Sequence, residues 1–69
     1  MNRQTTQVYE YMQQRGRISQ LKATYELGIT RLGARIWDLK HLGIDVKDEM
    51  VYHVTEDGER KKWKEYWLA

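Results

Sequence analysis

Cysteine is absent from this 69-residue chain, so no disulfide framework and no thiolate metal site can hold it together, and stability must come from packing. That fits a reducing cytosol. Histidine is scarce as well: His41 and His53 stand in different segments, with no partner at ligand spacing, which argues against zinc. No metal and no cofactor is expected. No apolar run approaches the roughly 20 residues of a membrane span, and Met1-Asn2-Arg3-Gln4-Thr5-Thr6 lacks the apolar core of a signal peptide. The expectation is a soluble, cytoplasmic chain with no membrane partner. Catalytic patterns are missing too. Glu10, Glu26 and the Asp45, Asp48, Glu49 cluster have no spacing suited to paired-carboxylate chemistry, there is no thiol nucleophile, and no glycine-rich phosphate loop follows a strand. An enzyme is not expected. Repeats, linkers and low-complexity stretches are absent, and a chain this short buries only about 60% of its unfolded surface, so residues 1–69 form one domain around one core.

What is present is an uneven distribution of charge. Residues 1–43 hold seven basic and three acidic side chains, residues 44–59 one basic and six acidic, and residues 60–69 four basic and one acidic. Such a pattern steers a polyanion to one side of the molecule, although a formal net charge of +2 predicts only moderate non-specific affinity.

The most informative stretch runs from Gly28 to Gly43. Ile29, Leu32, Ile36 and Leu39 recur at three- and four-residue spacing and define one buried helix face. Thr30 suits the N-cap and Gly43 the left-handed position past the end, so a helix over residues 30–42 is predicted. Arg31, Ala34, Trp37, Asp38 and His41 turn away from the core, with Arg35 and Lys40 on the flanks. A short helix with small residues in its first turns and basic and aromatic side chains outward can sit in a DNA major groove; the alternative is an ordinary solvated face.

Ahead of it, a first helix is predicted from Thr5 or Thr6 to Arg15, with Thr5, Val8, Tyr9 and Met12 inward and Gly16 closing it. Arg17-Ile18 reads as an extended connector or one strand rung. Ser19 then caps a second helix, Gln20 to about Leu27, which leans on its neighbours through Leu21, Ala23 or Thr24, and Leu27. A short helix, a tight turn at Gly28-Ile29-Thr30, and a second helix with a basic face make a helix-turn-helix. After Gly43 the period changes to 2, with Val46, Met50, Tyr52 and Val54 on one strand face. A three-residue loop ending at Gly58 pairs Thr55 with Glu59 and brings Tyr66 and Leu68 onto that face; a two-residue turn at Asp57-Gly58 sends them to the other. The first register gathers the apolar residues and is preferred. The fold class is α+β: three helices closed by a C-terminal β-hairpin.

Leu27-Gly28-Ile29-Thr30-Arg31-Leu32, followed by Ala34-Arg35-Ile36-Trp37-Asp38-Leu39 and Gly43-Ile44-Asp45-Val46, resembles the small winged helix-turn-helix domains common in bacteriophages and prophages, over nearly the whole chain through Tyr66-Trp67-Leu68. The resemblance implies that the central helix is the recognition helix and the hairpin the wing. It also implies binding of double-stranded DNA, as a transcriptional regulator. Winged helices serve as protein-protein adaptors too, so a module that occupies a host protein is the alternative.

On the DNA reading Arg31 reads bases or clamps a phosphate, and Ala34, Trp37 and His41 share its face. Arg35 and Lys40 flank it, and Thr30 with Ser19, Gln20 and Lys22 holds phosphates. Arg60, Lys62 and Lys64 grip the flanking backbone. Arg35 can equally pair with Asp38, and Arg31 can be a solvated charge. Trp37 can touch thymine methyls, fold against the wing or meet a partner protein. Trp63 and Trp67 fall opposite Tyr66 and Leu68, and read as mutual cross-strand packing before a base-stacking platform. Glu56, Asp57 and Glu59 put carboxylates at the wing tip, which should keep it out of a minor groove. A monomer this small covers a short half-site, so specificity calls for a homodimer or tandem binding on DNA.

Overall fold

The computed structural model describes residues 1–69. Helix α1 spans Arg3–Arg15 and starts two residues ahead of expectation because Asn2, in extended conformation, accepts a hydrogen bond from Thr5 N at 2.7 Å. Gly16, at φ +90°, closes it by donating to Met12 O at 3.1 Å. Thr5, Val8, Tyr11 and Met12 are its buried residues. Tyr11 thus lies deeper than Tyr9, and its hydroxyl donates to Glu26 Oε2 at 2.7 Å. Burial, then the hydrogen bond and charge of Glu26, push the Tyr11 phenol above its ordinary pKa.

Strand β1 is only Ile18–Ser19, yet it pairs antiparallel with Tyr66 and Glu65 and seats Ile18 in the core. Helix α2 follows as Gln20–Lys22, capped by Ser19 Oγ on Lys22 N at 3.3 Å, and widens into a π-helical turn over Ala23–Leu27. Ala23 is buried and Leu27 packs against the core. Leu21, expected inward, is exposed: with Gln20 turned toward the next helix and Ala23 inward, it falls on the outer side. Gly28, left-handed at φ +68°, reverses the chain; it donates to Thr24 O and Ile29 N donates to Ala23 O, which satisfies carbonyls the helix end leaves open.

Helix α3 runs Leu32–His41, shorter than the predicted 30–42. Thr30 is not its N-cap. Arg31 occupies that position without a side-chain cap, and the N–H of Leu32 is met by Gln20 Oε1 at 3.0 Å. The same carboxamide donates from Nε2 to Ile29 O at 2.9 Å and to Thr24 Oγ1 at 3.0 Å. One side chain of α2 therefore secures both the turn and the start of α3. Gly43, at φ +85°, ends the helix as expected, with Gly43 N on Lys40 O and Ile44 N on Leu39 O.

Strands β2 (Val46–Val54) and β3 (Arg60–Leu68) form the hairpin, in a sheet of order β1-β3-β2. Val46 faces Leu68 and Val54 faces Arg60. Thr55 N donates to Glu59 O, with Gly58 at φ +82°, which is the three-residue loop and the register that gathers Val46, Tyr66 and Leu68 on one face. That face closes the core of Val8, Ile18, Ile29, Leu32, Ile36 and Leu39. The core reaches only the base of the hairpin. Met50, Tyr52 and Val54 continue the same face into solvent, and the molecule measures 43 × 23 × 20 Å.

Candidate nucleic-acid interface

With Leu32, Ile36 and Leu39 buried, the rest of α3 divides into two tethered flanks and one open strip. On the first flank, Asp38 Oδ2 accepts from the buried Thr5 hydroxyl at 3.0 Å and lies 3.1 Å from Arg35 Nε. The Arg35 contact is an ion pair whose N–H points poorly for a hydrogen bond. Arg35 Nη1 also donates to Gln4 Oε1 at 3.2 Å. Asp38, expected outward, is thus turned toward α1, and Arg35 follows it in the pair that was one of its two readings. On the second flank Lys40 Nζ stands 3.8 Å from Asp48 Oδ2 on β2, a weak exposed pair.

The open strip consists of Arg31, Gly33, the half-buried Ala34, Trp37 and His41. Trp37 is 59% exposed. Its ring stacks on His41, with centroids 3.5 Å apart and planes 28° from parallel. Together with Met1, Asn2, Thr5, Asp38 and Leu42 they line a shallow groove of about 290 Å³ beside the start of α1.

Of the polar residues at the start of α2, Ser19 is buried under its own cap bond and Gln20 has its carboxamide engaged in the turn. Lys22, Thr30 and Arg31 remain exposed. The clamp by Gln20 was not foreseen, because its partners lie up to 12 residues away and only the packed turn brings them together.

The wing has two distinct faces. On the helix side, Met50 stands opposite Lys64, Tyr52 opposite Lys62, and Val54 opposite Arg60, so a row of exposed apolar groups on β2 runs beside a row of cations on β3. On the far side Arg17 holds the sheet. Its guanidinium lies 4.2 Å from the Trp67 ring centroid, pairs with Glu49, and reaches Glu65 Oε1 at 3.4 Å. Trp63 Nε1 donates to Glu65 Oε2 at 2.9 Å. That indole, and then Arg17, hold the Glu65 carboxyl below its ordinary pKa; Glu49, first, and Glu65 raise that of Arg17. The two tryptophans do not pack on one another across strands, since both belong to β3 and face Val51 and Lys47. Arg17 received no role in the sequence reading. Its clue is the alternation that puts it, two residues before Ser19, on the sheet face of Glu65 and Trp67.

At the tip Thr55 binds Asp57 and accepts from Glu59 N at 3.0 Å; the Thr55 hydroxyl lowers the Asp57 pKa. Arg15, Arg17, Arg35 and Lys40 each have a carboxylate within ion-pair distance, whereas Lys22, Arg31, Arg60, Lys62 and Lys64 have none. No three His, Asp or Glu side chains come together as metal ligands, and no helix is long and apolar enough to cross a membrane.

The family profile of the winged helix-turn-helix domain matches residues 3–69, nearly the full length. No curated protein and no solved structure matches the chain.

Proposed function

The chain belongs to the winged helix-turn-helix family, and we propose that it binds double-stranded DNA sequence-specifically, through α3 and the helix-side face of the wing. The observation that carries this reading is the division of the cations. Arg35 and Lys40 on the flanks of α3 and Arg17 on the far face of the sheet are neutralised within the fold, while Arg31, Lys22 and the wing row Arg60, Lys62 and Lys64 keep their charge for an external anion, as do Lys47 and Lys61 on the far face.

Arg31, at the start of α3, donates to guanine O6 and N7 or clamps a phosphate. Gly33 and Ala34 allow close approach behind it, and Trp37 and His41 extend the strip toward the helix end. Lys22 and Thr30 hold phosphates on one side, and Arg60, Lys62 and Lys64 the backbone on the other. Ser19 and Gln20 contribute by building the turn, Arg35 and Lys40 by fixing α3 against α1 and β2. Work as a transcriptional regulator, a phage or prophage origin and a place in the host cytoplasm follow from the resemblance of residues 27–46 to small phage domains. Domains of this family are typically DNA-binding modules without catalysis.

The test is a selection against random duplexes, followed by affinity and salt dependence. Arg31→Ala should cost about 1 to 3 kcal/mol of specific binding and relax preference at one base position; Lys62→Ala should weaken all sequences alike and lower the salt slope by about one. If no motif is enriched and affinity at physiological salt stays at the non-specific level of about 1 to 100 µM, the proposal fails.

The groove beside Trp37, rimmed by Met1 and Leu42, favours a second reading, a module that docks on a host protein. There Trp37→Ala costs more than either charge change. A stoichiometric partner recovered from nuclease-treated lysate supports it, and an empty lane counts against it.

A further inference from the structure

The sheet order β1-β3-β2 leaves the outer edge of β2 without a neighbour over its nine residues. Thr55 N donates to Glu59 O and Ala69 N to Asp45 O, which sets the odd-numbered residues of this hairpin in its hydrogen-bonded pairs. The N–H and C=O groups of Val46, Asp48, Met50, Tyr52 and Val54 therefore point outward. From Met50 to Val54 this edge has no formal charge, no proline and no interruption of register. The devices that normally blunt an edge strand are missing there, and Met50, Tyr52 and Val54 are exposed, Tyr52 to 74%.

We propose that β2 of a second copy of this chain takes this edge, antiparallel, in the register that sets Val51 opposite its own mate. Outward groups meet across a two-fold axis only if the paired residue numbers sum to an even value, so few registers compete. Centring on Glu49 sets that carboxylate on itself, centring on Met50 sets Lys47 rather than Glu49 against His53, and centring on Tyr52 pairs only the five strand residues Met50–Val54 where Val51 pairs the seven of Asp48–Val54. Within Val46–Val54 the Val51 register opposes no like charges. It pairs Met50 with Tyr52 twice, and faces His53 of each copy with Glu49 of the other. A two-fold axis perpendicular to the sheet keeps both helical bodies on one side of it. Val46 and its mate then lie about ten residue steps, or 34 Å, apart along the strands, the spacing of successive major-groove faces on B-form DNA. That last consequence rests on the DNA reading of α3; the pairing does not.

The absence of cysteine from the chain allows a direct test in the absence of DNA. Val51→Cys places two thiols on a non-hydrogen-bonded pair, where Cα separation suits a disulfide. His53→Cys places them about four residue steps, or 13 Å, apart, out of reach. The native chain is expected to sediment as a dimer at high concentration, and Val51→Cys to oxidise to a covalent dimer at least about tenfold faster than His53→Cys. Tyr52→Pro deletes an outward N–H that β3 does not use, and should raise the dimer Kd at least about tenfold with an unchanged cooperative urea transition of tryptophan fluorescence. If Tyr52→Pro fails to fold, the cysteine pair alone decides. A native chain still monomeric at about 1 mM, or equal oxidation of the two cysteine variants, overturns the proposal.

Discussion

Replacing Gln20 by alanine tests whether one carboxamide fixes α3 relative to α2. Three hydrogen bonds are lost: Nε2 to Ile29 O at 2.9 Å, Nε2 to Thr24 Oγ1 at 3.0 Å, and Leu32 N to Oε1 at 3.0 Å. At a net value of about 1 kcal/mol each, the gross loss is about 3 kcal/mol. Water reaches this exposed residue and re-solvates part of what is released, and alanine is the better helix former by a few tenths of a kcal/mol. The expected net destabilisation is about 1.5 kcal/mol, or about 6 to 12 °C in melting temperature for a domain of this size. Urea denaturation followed by tryptophan fluorescence measures it. Gln20→Glu discriminates the cause. It keeps an acceptor for Leu32 N at the start of α3, where negative charge is favoured, but cannot donate to Ile29 O, so its stability should fall between the native chain and the alanine variant. A Gln20→Ala chain within about 0.3 kcal/mol of native would refute the clamp, because ordinary surface substitutions fall in that range.

Ile36→Ala should destabilise by about 2 to 5 kcal/mol in the same assay, since Ile36 is 3% exposed between α1 and the sheet and truncation leaves a cavity. Arg31→Ala should change folding by no more than about 0.5 kcal/mol, which makes its loss of DNA binding interpretable. Gly28→Ala should cost about 1 to 2 kcal/mol from backbone strain alone: φ is +68°, and an added Cβ meets nothing within 4 Å. For Glu65 the folded pKa is depressed, so its contribution is fully present above the ordinary value of 4.5 and is lost as pH falls through the lower folded value. The stability gap between the native chain and Glu65→Gln, read by urea denaturation, should therefore shrink from about pH 7 to about pH 3; a gap that stays constant counts against the Trp63–Glu65–Arg17 arrangement.

The fold was legible because its signals are local. Apolar periodicity located Leu32, Ile36 and Leu39 on the inner face of α3, glycines at 16, 28, 43 and 58 fell where the chain turns with positive φ, and the Gly58 loop fixed the strand register. Capping was legible only when donor and acceptor were sequence neighbours. Ser19 was found that way, whereas Thr30 was assigned a role that Gln20 performs from the preceding helix.

The sequence by itself determined the elements, their inner faces and the hairpin register, because each follows from the spacing of residues a few positions apart. Which charged groups are left for a partner was decided only by the tertiary structure. Asp38 is turned inward by Thr5, 33 residues away, Lys40 of α3 meets Asp48 of β2, and Arg17 is held by Glu49 and Glu65. Composition counts these charges alike. Coulomb interaction falls with distance and with solvent between the groups, so only the packed chain, by setting those distances, separates cations already neutralised from those still available to an anion.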